Sequence, residues 1–266
     1  MLAAAVAVLA YGWFEAGWLR RRVLEVELER LPAELDGLRI VHLSDLHLGL
    51  PSRGSRAVEL AVRWVVERKP DLVCLTGDLV SRRSGLRALE RHLAMLAPCL
   101  VVLGNHDFAA SRDPFSQRFH EAELRLPRGV SLLADSSLEL DLRGRRVQVV
   151  GVDPRSYARG ESRPARLADA TADLRILLCH FPDVVRRLQA GVYDLVLAGH
   201  LHAGQIVVPL PRGKLRLAHL RARDVEGLHR YGSMVLHVSP GIGTTFVPFR
   251  FFARPEVTEL VVRSKS

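Results

Sequence analysis

Cysteine is scarce in this chain: Cys74, Cys99 and Cys179 are the only three in 266 residues. None has a partner at the spacing of a zinc knot or a disulfide framework. All three lie within or beside apolar strand-like runs, so they read as buried free thiols, and their odd number suits a reducing compartment. Aromatic residues are few, at 6%, and no stretch interleaves them with basic residues in the way that stacks single-stranded nucleic acid. There is no internal repeat and no long low-complexity linker, which excludes a solenoid and leaves one large domain as the simplest count.

Acidic residues are outnumbered. Lys and Arg total 38 against 29 Asp and Glu, a formal charge of +9. The excess includes clusters at Arg20-Arg21-Arg22, Arg82-Arg83 and Arg143 to Arg146. Such clusters can attract an anionic membrane, a phosphorylated substrate or a nucleic acid backbone, and charge alone does not choose among these.

What the chain has in quantity is apolar residues, 48% of the total with 25% charged, ordinary for a globular α/β core. Arg39 to Leu43, Asp71 to Leu75, Leu100 to Leu103, Arg175 to Leu178 and Asp194 to Ala198 read as buried β-strands. Ser55 to Arg68, Leu86 to Leu96 and Pro182 to Gln189 read as helices between them, the α/β alternation.

Met1 to Leu19 is apolar, with Glu15 its only charged side chain, and is followed by the three arginines from Arg20. About 20 apolar residues suffice to span a bilayer. A secretory signal places its positive charge before the apolar run. Here the charge follows, which predicts a retained anchor over 1–22, an inner-membrane location and a catalytic domain over 37–266 on the cytoplasmic side. An interfacial helix with Trp13 and Trp18 at headgroup depth, or a helix packed on the domain, are the alternatives.

The strand-like runs end in five polar blocks: Asp45-Leu46-His47, Gly77-Asp78, Gly104-Asn105-His106-Asp107, His180 and Gly199-His200-Leu201-His202. Strand ends in α/β sheets face a common crevice, so these side chains can converge. Each pair alone is a weak signal. Together, oxygen from Asp45, Asp78 and Asn105 with imidazole from His47, His180, His200 and His202 can fill two neighbouring coordination spheres if Asp78 bridges them. Mixed imidazole and oxygen donors favour two divalent ions of Mn, Fe, Zn or Ni over Mg or Ca, with Mn the first expectation.

These blocks resemble the signature of the calcineurin-like metallophosphoesterases, D-x-H, G-D, G-N-H-[DE], a lone His and G-H-x-H. The closing stretches Gly199 to Gln205 and Gly241 to Phe251 look most like the bacterial membrane-associated branch, which includes hydrolases of UDP-diacylglucosamine. The resemblance implies two facing β-sheets flanked by helices, with a binuclear site at the strand ends. It implies one metal on Asp45, His47, Asp78 and His202, the other on Asp78, Asn105, His180 and His200, and a catalytic His106 beside the phosphate. Two ions about 3.5 to 4 Å apart can activate a bridging water and clamp a phosphate.

The chain departs from the family pattern at Ser81, where many members carry a carboxylate that orients the catalytic histidine; Asp107 is the candidate substitute. Leu201 and Ala203 stand where the branch often has Thr and Gly. His42, His92, His120, His219, His229 and His237 read as surface or core residues. Gly241 and Gly243 can admit a phosphate near the backbone, though they read more simply as turn glycines.

The expected activity is hydrolysis of a phosphodiester or pyrophosphate bond, on a phosphorylated or UDP-linked lipid at a membrane. A nuclease or cyclic nucleotide phosphodiesterase is one alternative, and a catalytically silent membrane- or partner-binding protein is another.

Overall fold

A computed structural model describes residues 1–108, 113–117, 123–211, 213–218, 222 and 224–265. His120 and His219 lie outside the described residues.

Two six-stranded sheets face each other, their strands numbered in chain order. The first runs, in space, β1 (Arg20–Leu28), β14 (Glu256–Ser264), β2 (Arg39–Leu43), β3 (Leu72–Thr76), β4 (Cys99–Val102) and β5 (Val130–Leu132). The second runs β12 (Gly227–Tyr231), β13 (Met234–Val238), β9 (Leu195–Ala198), β8 (Leu174–Leu178), β7 (Arg145–Gly151) and β6 (Ser136–Leu142). A separate hairpin joins β10 (Val207–Leu210) to β11 (Gly213–Arg216).

Alternation along each strand explains the layering. Ile40, Leu72, Cys74, Leu100 and Val102 point inward and meet Val149, Ile176, Leu178, Leu195 and Leu197 of the other sheet. Their neighbours Val41, Leu43, Val73, Leu75 and Val101 point outward, onto α2 (Gly54–Arg68) and α3 (Leu86–Leu96). Because side chains alternate with period two, a strand buried on both faces reads as a continuous apolar run. The helices instead bury one stripe: Ala57, Val58, Ala61, Val62 and Val65 of α2, and Leu89, Leu93 and Leu96 of α3. The fold is the α/β sandwich of two sheets flanked by helices.

The five predicted strands are present within about one residue at each end. Pro182 to Gln189 is not an α-helix. Pro182–Arg187 forms a short 3₁₀ helix that ends where Leu188 turns extended, too short a run for α-helical periodicity to establish itself. All three cysteines are buried and free. Burial pushes the thiols of Cys99 and Cys179 up to about 12 and that of Cys74 higher still, so none is a nucleophile near neutrality.

The expected spanning anchor, and with it the inner-membrane location, is corrected here. Among the described residues no helix is long and apolar enough to cross a membrane. The N-terminal helix α1 (Leu2–Glu15) has 14 residues, about 21 Å at 1.5 Å per residue, short of the ~30 Å hydrocarbon core. It stops because its last turn docks: Gly12 lies against the Phe251 ring, and the Gly12 carbonyl accepts the Arg250 N–H at 3.0 Å. Glu15 is fully buried and accepts the N–H groups of Phe252 at 3.0 Å and Ala253 at 2.7 Å. Arg20 and Arg22, read as the basic flank, lie in β1, paired in register with β14 and 3.3 and 3.7 Å from Glu256. A boundary after Arg22 therefore falls inside a strand.

Glu15→Ala leaves the buried Ala253 N–H and the part-buried Phe252 N–H without an acceptor, an expected loss of about 1 to 3 kcal/mol. Hydrogen exchange should accelerate at the Phe252 and Ala253 amides; unchanged protection would show that Glu15 is not what holds α1.

Candidate metal centre

β2, β3 and β4 are mutually parallel, as are β7, β8 and β9, so the two sheets bring carboxyl ends to one edge. The five polar blocks follow those ends directly. Asp45, His47, Asp78, His200 and His202 all have positive φ, at 54°, 44°, 52°, 75° and 49°. Non-glycine residues pay about 1 to 3 kcal/mol each for such a conformation, so the surroundings must enforce it. They do so through Asp45 N–H to Gly77 O and His47 N–H to Asp78 O, both 2.9 Å, and Gly243 N–H to Asp45 O at 2.7 Å. The Gly241–Gly243 segment thus braces the Asp45 turn.

Close approach explains two further glycines. A Cβ at Gly104 would stand 2.2 Å from Asp78 Oδ1, and one at Gly199 would stand 2.4 Å from Asp45 Oδ2. Any side chain at either position would displace a carboxylate.

The structure brings the predicted residues into two groups of converging donor atoms. Asp45, His47, Asp78 and His202 form one, Asp78, His180 and His200 the other, with ligand atoms in each group within 4.8 Å of one another. Asp78 belongs to both. Its Oδ2 lies 3.5 Å from His47 Nε2 and 3.3 Å from His180 Nε2. His47 Nε2 and His202 Nε2 are 3.1 Å apart, as are His180 Nε2 and His200 Nδ1. Asn105 Oδ1 joins the second group, 3.1 Å from His180 Nε2.

Those separations fit metal coordination. Two nitrogens each ~2.1 Å from one ion must lie about 2.9 to 3.4 Å apart at octahedral to tetrahedral angles. Outer hydrogen bonds aim the rings: His180 Nδ1 donates to Thr76 O and His47 Nδ1 meets Ser81 Oγ, both at 2.8 Å, leaving each Nε2 turned inward.

Electrostatics agree with a site built for cations. Burial alone raises the Asp78 carboxyl, but His180, His106 and His47 more than reverse it, holding Asp78 well below the usual carboxylate range. Burial, followed by repulsion from Asp78, raises Asp45 to about 6 and Asp107 to about 7, while His180 works against the rise at Asp45. Burial lowers His47 to about 3. His180 goes the other way: burial opposes its charge, but Asp78 and Asp45 raise it to about 9. The metal-free site thus already holds positive charge against Asp78, and an ion bound there would take the place of the His180 proton.

His106 stands at the mouth of the site, Nε2 4.0 Å from Asp78 Oδ2, its ring edge-on to His47 and Phe246. Its backbone N–H donates to Asp78 Oδ1 at 2.8 Å. Asp107 does not orient it. The Asp107 carboxylate accepts the N–H groups of Leu79, Val80 and Gly104, and so locks the Asp78 turn to the Asn105 turn. Among the described residues, buried His106 Nδ1 has no hydrogen-bond partner.

Sequence reasoning missed two residues here. Arg250 is fully buried behind His202, with Nη2 3.2 Å from its Nδ1 and the rest of the guanidinium bonded to the carbonyls of Pro240, Gly243 and Ala253. Its one sequence signal is an arginine inside the aromatic run Phe249 to Phe252. Asp113 is buried beside His106 and accepts the Phe246 N–H at 2.9 Å; nothing in the sequence marks it. The remaining histidines are structural: His42 bridges His237 and Thr76 between the sheets at 2.8 Å each, and His229 Nε2 bonds Glu226 O. His92 is partly buried on α3.

The model of the calcineurin-like phosphoesterase family matches residues 38–204, a span from β2 through the last histidine block that holds every donor named above. The chain belongs to the calcineurin-like phosphoesterases. It is 30% identical over 260 residues to the Escherichia coli phosphodiesterase YaeI, covering 94% of this chain and 88% of that one. An uncharacterized metallophosphoesterase of Aquifex aeolicus is 31% identical, with 98% of each chain covered. A zebrafish (Danio rerio) transmembrane protein with a metallophosphoesterase domain is 33% identical over 97% of this chain, which spans 61% of that protein's length. This calcineurin-like phosphoesterase is therefore a metal-dependent phosphoesterase with a site for divalent ions.

Proposed function

We propose that this phosphoesterase hydrolyses a phosphodiester or pyrophosphate bond in a phosphorylated or UDP-linked lipid. The observation that carries the reading is Asp78, whose carboxylate is shared by two groups of metal donors. Asp45, His47, Asp78 and His202 would hold one ion, and Asp78, Asn105, His180 and His200 the other, Mn being the first choice and Fe, Zn or Ni the others. Bound there, two divalent ions supply an activated water and neutralise charge on the phosphate oxygens.

The chain's own residues supply the rest. Asp78 offsets the positive charge of both sites, and neutral Asn105 adds an oxygen donor without further charge. His106, free of either donor group and facing the cavity, protonates the leaving oxygen or stabilises the charge that develops there. Support for a diester comes from the name of the Escherichia coli relative, and support for lipid surroundings from the name of the zebrafish one. Leu2, Val6, Leu9, Trp13 and Phe14 of α1 are exposed, which suits a helix lying on a lipid surface. The arginine clusters support this less: Arg83, Arg143, Arg145 and Arg146 pair with carboxylates, as Arg20 and Arg22 do.

The test is turnover of bis(p-nitrophenyl) phosphate by the full chain, before and after chelation. Chelation should lower the rate by at least about a hundredfold, and Mn should restore it. Turnover indifferent to chelation would sink the reading.

A further inference from the structure

Beside the metal donors lies a cavity of about 390 Å³ with two unlike walls. One wall is Asp78, His106, His200 and His202; the other is Ile206, Leu217, Phe246 and Val247. Phe246 and Val247 also form a side of a second hollow of about 80 Å³, closed by Leu50, Pro51, Phe115 and Pro248. Among the described residues, neither hollow is lined by lysine or arginine.

The apolar wall is held open. Phe246, Val247 and Leu217 remain 46%, 37% and 51% exposed. Gln205 fixes the loop that carries Phe246 and Val247, accepting the Thr245 N–H at 3.0 Å and donating to Thr245 O at 2.7 Å and Val247 O at 3.1 Å, while the Leu217 N–H is bonded to Ile206 O at 3.0 Å. Phe246 itself sits at a positive φ of 58°, fixed by its N–H to Asp113. Its ring centroid is 6.4 Å from that of His106, so the groove begins where the phosphate reacts.

We propose that this groove is the subsite for a straight alkyl or acyl chain carried by the phosphate substrate, running from the metal centre past Phe246 and Val247 toward Leu50 and Phe115. The proposal deepens the lipid reading above and rests on it. The polar side chains beside this wall, Gln205 and Thr245, are already bonded to the Thr245–Val247 backbone and to Asp113, so a polar or charged substituent laid along it would lose hydration for little return. An aliphatic chain loses nothing and gains by burial. Continuity with the donors assigns the groove to the substrate itself, and not to a second copy of the chain.

The experiment measures kcat/KM of the Mn-loaded full chain for methyl, butyl and octyl p-nitrophenyl phosphate below their micellar concentrations. In each case water adds to phosphorus, p-nitrophenolate leaves and the alkyl phosphate remains. The rate constant should rise about two- to fourfold per methylene that enters the groove. Leu217→Gln combined with Val247→Gln, both at exposed positions, should collapse the octyl-to-methyl ratio, a quantity that a general loss of activity does not move. A flat series in the unaltered protein overturns the groove while leaving the phosphodiesterase reading in place. If no ester turns over with metal bound, that reading falls, and the groove is judged by calorimetry of octyl against methyl phosphate, equal affinities overturning it. A dimer with the Leu217 and Val247 amides protected would give the groove to a second copy and also overturn it.

Discussion

Asp78→Asn is expected to empty both metal sites and lower kcat/KM by more than about a thousandfold, a larger effect than loss of any other single donor. The neutral amide keeps the shape but removes the one negative charge common to both donor groups. Metal analysis of the purified variant beside its turnover makes the check. A variant with two bound ions and undiminished turnover would show that Asp78 is not the bridge.

The same substitution has a pH signature in the metal-free protein. Asp45 and Asp107 are raised to about 6 and about 7, above their unfolded values, by burial first and by Asp78 as well. Their contribution to stability is therefore present below the unfolded carboxylate pKa and lost as pH rises through about 6 and about 7. Asp78 is depressed, so its contribution is present above the unfolded value and lost as pH falls. Removing Asp78 should weaken the first trend, which chemical denaturation between pH 4 and 8 would register, and abolish the second, which falls below about pH 4.

His106→Ala should behave in the opposite way: metal content nearly intact, turnover lower by about two to four orders of magnitude. His106 is part of neither donor group, and its ring edge meets the cavity. Loss of both ions in this variant would reassign it to the coordination sphere.

The convergence of the five blocks was legible because each interrupts an apolar strand run with polar residues that a core rejects unless they are paired. A carboxylate and imidazoles at strand ends are local facts, and strand ends are easy to read. Glu15 was not legible because its partners lie far along the chain, and Arg250 because the group it backs, His202, is 48 residues away while its near partners are only backbone carbonyls. Glu15 answers to Phe252 and Ala253, and in hydropathy alone it only weakens an apolar segment. The same blindness produced the spanning anchor, since composition records how apolar a stretch is and not where its helix must stop. Asp107 shows a third limit: its residue type fits either orienting a histidine or tying two turns, and only its neighbours Leu79, Val80 and Gly104 decide.

The place of β14 has a consequence in time. The strand Glu256–Ser264 lies between β1 and β2, pairing Arg20 with Glu256 and His42 with Thr258. The first sheet therefore stays split until the ribosome has delivered β14, with Glu256 236 residues after its partner Arg20, and β1 has no strand neighbour in the meantime. Contacts this distant in sequence slow folding, and the waiting edge of β2 is a template for pairing with another chain. Refolding rate and aggregation during synthesis should respond to substitutions in β14 more than to equally buried ones in β7 or β8, whose partners are nearer in the chain.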